Sequence, residues 1–286
     1  MRIAIATSGR FHVLDLAREL HALGHEVLFY SYVPVKRAVK FGLPAGCQRC
    51  LLPYVFPLVA MNRAAPKFLR PRLNQWILKT LDRLVAWKLE PCDVFIGMSG
   101  LCVASAARAR SKYGAKVLIE RGSTHILRQK EILEALGGGE RVSDFDLRRE
   151  LASYERADLI VIPSLHVEES FLKIGMDRKK LFRNPYGVNL EMFLPTPVPR
   201  SREPLALFVG GWSYRKGCEL WEKVLERLPD LRLIHVGSLG DAPLPVSPRF
   251  THVDPVNQWE LQKYYAKAHV FVLASREEGL SLVLFQ

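Results

Sequence analysis

Three segments of this chain share one form: "CDVFIGMS" (92–99), "ADLIVIPS" (157–164) and "AHVFVLAS" (268–275). Each passes from a small residue through Asp or His into an apolar run and closes on Ser. A run without polar alternation suits a strand buried on both faces. Such a strand needs helices on either side, which means a parallel sheet built from crossover units. A small polar residue at its carboxyl end lets the chain turn there, at the edge where open α/β sheets bind ligands.

The rest of the pattern agrees. "RIAIAT" (2–7) is another continuous run, and "HVLDLARELHALGHEV" follows with Val13, Leu14, Ala17 and Leu20 at helical spacing. Gly24 is placed to stop that helix, and "EVLFYS" reads as the next strand. Further strands are expected at 116–120, 205–210 and 232–237. A chain of 286 residues suggests two domains. "LPTPVPRSREP" (194–204), with four prolines and three charges, reads as a linker. The expected domains are 1–198 and 203–286. The second offers about three strong strands, where an open sheet usually has five or six, so it is expected to be incomplete.

The net charge of +12 points to an anionic partner: nucleotide phosphates, an acidic membrane surface or nucleic acid. Five scattered cysteines and a strand-like first segment without a cleavage site suit a reduced, cytoplasmic protein. Cys47 and Cys50 form a C-x-x-C with no second ligand pair at zinc spacing, so no metal is expected there. "SDFD" (143–146) holds a D-x-D, but Ser143 before "DFDLRREL" reads as a helix cap with acids in the first turn.

Two loops carry the candidate chemistry. In "FVGGWSYRKGCELWEKVLERL" (208–228) a strand ends at Gly210-Gly211, and Arg215-Lys216-Gly217 is read as opening an amphipathic helix. Glycines admit a ligand close to the backbone, and Arg215 and Lys216 would neutralise a diphosphate. The alternative is a solvated charged loop. In "EEGLSLVLFQ" (277–286) Glu278 projects from a turn, and the N–H groups after Gly279, those of Leu280, Ser281 and Leu282, are expected at a helix start. The alternative there is simple capping by acidic residues.

Taken in order, "ADLIVIPS", "RNPYGVNLEMF", "FVGGWSYRKG" and "AHVFVLASREEGLSLVLFQ" resemble the motifs of the retaining glycosyltransferases of family four. The resemblance implies the GT-B fold, an α/β architecture of two Rossmann-like, doubly wound parallel-sheet domains facing a cleft. It implies that Glu278, the first acid of the family's Glu-x7-Glu element, contacts donor-sugar hydroxyls. Gln286 stands where the second Glu grips the ribose. Gly210, Lys216 and Gly217 match the family's G-R-x4-K-G, whose arginine is replaced here by Gly211. Arg215 is nominated to supply the missing guanidinium. Gly9 matches the donor-phosphate turn after the first strand, with one glycine where the family often has two. His125, just beyond the strand at 116–120, is nominated for the reacting sugar, against the reading of a capping histidine. His12 and His25 are read as structural.

The segment 61–88 has seven Lys or Arg and one acid, interleaved with Trp76, Ile77, Leu81, Leu84, Val85 and Trp87. Two readings stand: an amphipathic helix on an anionic membrane surface, or a helix packed on the sheet with a wet basic face. Nucleic acid is not expected, because no recognised binding module accompanies the charge. The expected activity is metal-free transfer of a sugar from a nucleotide sugar to an acceptor glycan or lipid-linked acceptor. The rivals are a GT-B phosphorylase or epimerase, and a silent nucleotide-sugar-binding scaffold.

Overall fold

The computed structural model describes residues 1–194 and 203–286, so most of the linker at 194–204 lies outside the described residues. The chain forms two compact units, each discontinuous in sequence. The first is Met1–Gly122 with Ser143–Asn184, and the second is Ser123–Val142 with Pro185–Gln286.

The first unit alternates strand and helix: β1 (Arg2–Ala6), α1 (Phe11–Ala22), β2 (Glu26–Ser31), α2 (Val35–Lys40), β3 (Gln48–Cys50), α3 (Leu52–Ala64), α4 (Arg70–Lys88), β4 (Val94–Met98), α5 (Ala104–Tyr113) and β5 (Lys116–Glu120). α6 (Ile126–Leu136) belongs to the second unit. The first unit resumes with α7 (Asp144–Arg156), β6 (Leu159–Ile162), α8 (Leu165–Leu172) and β7 (Leu181–Arg183). Its sheet is parallel throughout, in the order β3-β2-β1-β4-β5-β6-β7. The apolar runs lie where two-sided burial demands: Ile3, Ala4, Ile5 and Ala6 are all buried, with Val13, Leu14 and Ala17 of α1 packed over Ile3 and Ile5. Each fully buried Val, Leu or Ile side chain contributes about 1.5–3 kcal/mol. Gly24 ends α1 at φ +86°, a left-handed value that costs glycine little.

The basic stretch resolves into the last part of α3, a turn, and α4. Ile77, Leu81 and Val85 of α4 are buried, whereas Trp76 and Trp87 are exposed. The orientation is fixed by Asp82, the one acid of the stretch. Its carboxylate accepts from the N–H groups of Val103, Ala104 and Ser105 and from the Ser105 hydroxyl, which caps α5, and it pairs with Arg149 at 2.8 Å. Asp82→Ala would remove the buried acceptor of these donors and the charge partner of Arg149, which would keep only the Gly100 and Leu101 carbonyls. The expected loss is about 3–5 kcal/mol, read by denaturant unfolding; a loss below about 1 kcal/mol would mean water replaces the cap. Ser143 caps α7 as expected, its hydroxyl accepting from the Asp146 N–H.

The second unit, besides α6, holds β8 (Leu205–Val209), α9 (Trp221–Arg227), β9 (Arg232–Val236), β10 (Phe250–Val253), α10 (Gln258–Lys267) and β11 (Val270–Phe271). Its parallel sheet runs β10-β9-β8-β11. Phe208, Trp212, Trp221, Leu225 and Leu233 form its core. Two expectations need correction. Arg215-Lys216-Gly217 does not open an α-helix: tight single turns at Tyr214–Lys216 and Cys218–Leu220 flank Gly217, and α9 starts only at Trp221. Gly217 sits at φ +70°, and a Cβ there would stand 2.3 Å from the Ala274 carbonyl oxygen, so the chain must bend to let two loops touch. Likewise Leu280, Ser281 and Leu282 do not start an α-helix; a single tight turn spans Leu282–Leu284. The run at 268–275 is regular strand only at Val270–Phe271, pairing with Ala206 and Leu207.

Among the described residues no helix is long and apolar enough to cross a membrane.

Candidate functional site

β8 and β11 are neighbours in one sheet, so the loops leaving their carboxyl ends meet. The Arg276 N–H donates to the Arg215 carbonyl at 2.8 Å and zips them together. Lys216 and Glu278, predicted separately, form a direct ion pair whose side chains are only 13% and 27% exposed. Gly279, Leu280, Ser281 and Leu282 continue from Glu278 on the same loop, and Gly210 leads into the other. The donor-side nominees of these two loops therefore converge. No α-helix stands behind their backbone N–H groups, so no helix macrodipole acts at this loop.

Arg215 takes its place among carboxylates. Its guanidinium lies 2.7 Å from Glu140 and 3.8 Å from Glu277. Burial works against its charge, but Glu140, Glu278 and Glu277 outweigh it and hold the group above its ordinary range.

Glu277, the first half of the acidic pair, is the most enclosed member, at 1% exposure. Ser123 donates its hydroxyl to Oε1, Thr124 donates its N–H at 3.3 Å and hydroxyl at 3.0 Å, and Gln129 donates to Oε2 at 3.3 Å. Burial pushes the carboxyl up; the Ser123 and Thr124 bonds and Arg215 together bring it below the usual carboxylate range, so it is held ionised. Asp241, also not singled out from sequence, accepts from the Tyr214 N–H at 3.1 Å and the Gly139 N–H at 2.6 Å. Both acids bind Ser123–Val142 to the loops of β8 and β11. No short-range pattern marks such partners; the acidic doublet before Gly279 was the one visible signal for Glu277.

His125 follows Thr124 and is 2% exposed. It caps α6, its Nδ1 accepting from the Leu127 N–H at 3.3 Å, which puts the neutral ring's proton on Nε2. Gln286 accepts from the Tyr265 hydroxyl at 3.4 Å. Gly9 belongs to the first unit, in a turn where its N–H donates to the Thr7 hydroxyl at 3.3 Å. In that unit His12 lies 3.2 Å from Glu120, and Arg121 pairs with Glu150 at 2.8 Å.

Comparison with known proteins adds three findings. The family model described as Glycosyltransferase Family 4 matches residues 10–192. Sulfoquinovosyl transferase SQD2 of Arabidopsis thaliana is 26% identical over 149 residues, 46% of this chain but 29% of that protein, so the aligned part is under a third of its length. Among solved structures, sucrose-phosphate synthase of Thermosynechococcus elongatus superposes with a TM-score of 0.70 at 20% identity, covering 99% of this chain and 77% of that one. Anabaena HepE in complex with UDP and glucose gives 0.62 at 11% identity, covering 96% and 74%. These likenesses establish the GT-B type of fold, with its two parallel sheets.

Proposed function

The chain belongs to Glycosyltransferase Family 4, and from that premise we propose that it moves a sugar from a nucleotide-diphosphate donor to an acceptor hydroxyl with retention of anomeric configuration. The observation that carries the reading is the convergence of Lys216, Arg215 and Glu278 at the carboxyl edge of the second sheet. Cleavage of the donor bond leaves negative charge on the diphosphate, and Lys216 with Arg215 stabilises it. Glu278 and His125 hold donor-sugar hydroxyls and Gln286 the ribose, while in the first unit Gly9 keeps the phosphate-turn role that the family resemblance implies. No metal is assigned a step.

Before donor arrives, Lys216 is neutralised by Glu278. Binding is then an exchange: the diphosphate replaces the carboxylate on Lys216, and Glu278 is released to the sugar. The second reading, a nucleotide-sugar binder without turnover, draws on Gly211 and Gln286, which replace a family arginine and glutamate. Incubation with UDP-, GDP- and ADP-sugars and an added acceptor tests both. Transfer supports the enzyme; binding without transfer supports the second reading; no binding overturns the site.

The acceptor is proposed to be a glycan or a lipid-linked acceptor on an anionic membrane face. Support comes from the exposed aromatics Phe56, Phe68, Trp76 and Trp87, set among the bases of α3 and α4. The double variant Phe68→Ser, Trp76→Ser is expected to lower co-sedimentation with phosphatidylglycerol vesicles by about tenfold, with folding intact. Equal sedimentation of variant and wild type would discard the membrane role of this face.

A further inference from the structure

Beneath the Gly210–Gly211 turn lies a pair of histidines that the proposed chemistry does not use. Parallel register sets Phe208, His235 and His252 in one row across β8, β9 and β10, so their side chains share a face. His235 is fully buried beside Phe208 and Trp212. Its Nε2 lies 2.8 Å from the Gly210 carbonyl, and its Nδ1 lies 2.9 Å from Nδ1 of His252. Nε2 of His252 is 3.5 Å from the exposed Asp254.

These contacts fix the protons. The Gly210 carbonyl only accepts, so His235 donates from Nε2. Its Nδ1 is then a lone pair, and it accepts from the Nδ1–H of His252. His252 tolerates a second proton, on Nε2 towards Asp254. A proton on Nδ1 of His235 is tolerated only while His252 carries its single proton on Nε2; with both rings doubly protonated, two N–H groups would face each other across 2.9 Å. The Gly210 carbonyl is pinned from another side too. Gly237 has φ +154°, and a Cβ there would come 1.9 Å from that oxygen. The turn that starts the donor loop thus rests on His235 and on the bare Cα of Gly237.

We propose that His235 is a positioning residue for the donor loop, and that the His235–His252 pair makes donor binding fail in acid. The inference rests on the donor-site reading above. Groups facing His235 are His252 from β10, with Asp254 behind it, Phe208 from β8, and the Gly210 carbonyl and Trp212 from the loop after β8. Burial, and then His252, hold the His235 imidazole below its ordinary range, against the pull of the Gly210 carbonyl. His235 therefore stays neutral near neutrality and takes up a proton only as pH falls below the usual histidine range.

The test is UDP-glucose affinity by calorimetry between about pH 5 and pH 8. Each phosphate of that probe carries one ester and one anhydride bond and a single, strongly acidic oxygen, so its own charge stays constant there. Wild-type affinity is expected to fall roughly tenfold per pH unit on the acid side. In His235→Gln the amide N–H reaches the Gly210 carbonyl without titrating. That variant should bind within about threefold of wild type at pH 8 and lose the acid limb. Should it fold poorly, as its Tm would reveal, His252→Asn serves instead: its carbonyl can turn to accept from a protonated His235, so the acid limb again shrinks. No binding by wild type at pH 8 of UDP-glucose, or of GDP- or ADP-glucose run in the same way, overturns the donor site and this inference together. Binding with an acid limb that persists in the folded variant overturns this inference alone.

Discussion

Lys216→Ala is expected to lower turnover by about 10²–10³-fold, or about 2.7–4 kcal/mol of barrier, the effect of removing one donor aimed at developing charge. The lysine is well placed for so large a term. It is 13% exposed, on a loop tied by the Arg276–Arg215 backbone bond, with Gly217 packed on Ala274 behind it. A charge held in a partly dry setting acts more strongly on a leaving diphosphate than one in water. The variant loses no core packing, so its Tm should stay near wild type. Initial rates with a nucleotide sugar at saturation are the measure. A rate within about threefold of wild type would remove Lys216 from charge stabilisation.

Glu278→Gln should split two quantities that usually move together. Turnover falls by about tenfold or more, because the amide holds the sugar hydroxyls less well than a carboxylate. Affinity for UDP without a sugar rises by about three- to fivefold, the worth of an ion pair of roughly 1 kcal/mol that no longer competes for Lys216. Steady-state rates and UDP calorimetry on the same preparation read both. If UDP binds less tightly to the variant, Glu278 assists the diphosphate and the exchange on Lys216 does not occur. If turnover is unchanged, Glu278 does not touch the reacting sugar.

The central strands were legible because burial on both faces leaves an unbroken apolar run, as in Ile3–Ala6 and in Leu159–Ile162. β3, β7 and β10 were missed. They are three or four residues long, lie at sheet edges, and need no such run. Lys216 and Glu278 stood out because turn glycines and charges mark a loop at short range. The helix expected at Lys216 failed because the left-handed bend at Gly217 is imposed by Ala274, 57 residues away in sequence by the difference of the two numbers. Glu277, Asp241 and the histidine pair were illegible for the same reason. Their partners are set by strand register and loop packing, which a linear pattern does not contain.

Glu277 draws its donors from Ser123, Thr124 and Gln129, far upstream of the linker at 194–204. A protein cut at that linker would therefore not yield a self-sufficient carboxyl-terminal half. The excised piece would carry an anion stripped of the hydroxyls that solvate it, and would have to admit water or a proton in their stead. Reassembly from two separately expressed pieces should accordingly require residues 123–142 to travel with the downstream one, however natural the proline-rich breakpoint looks.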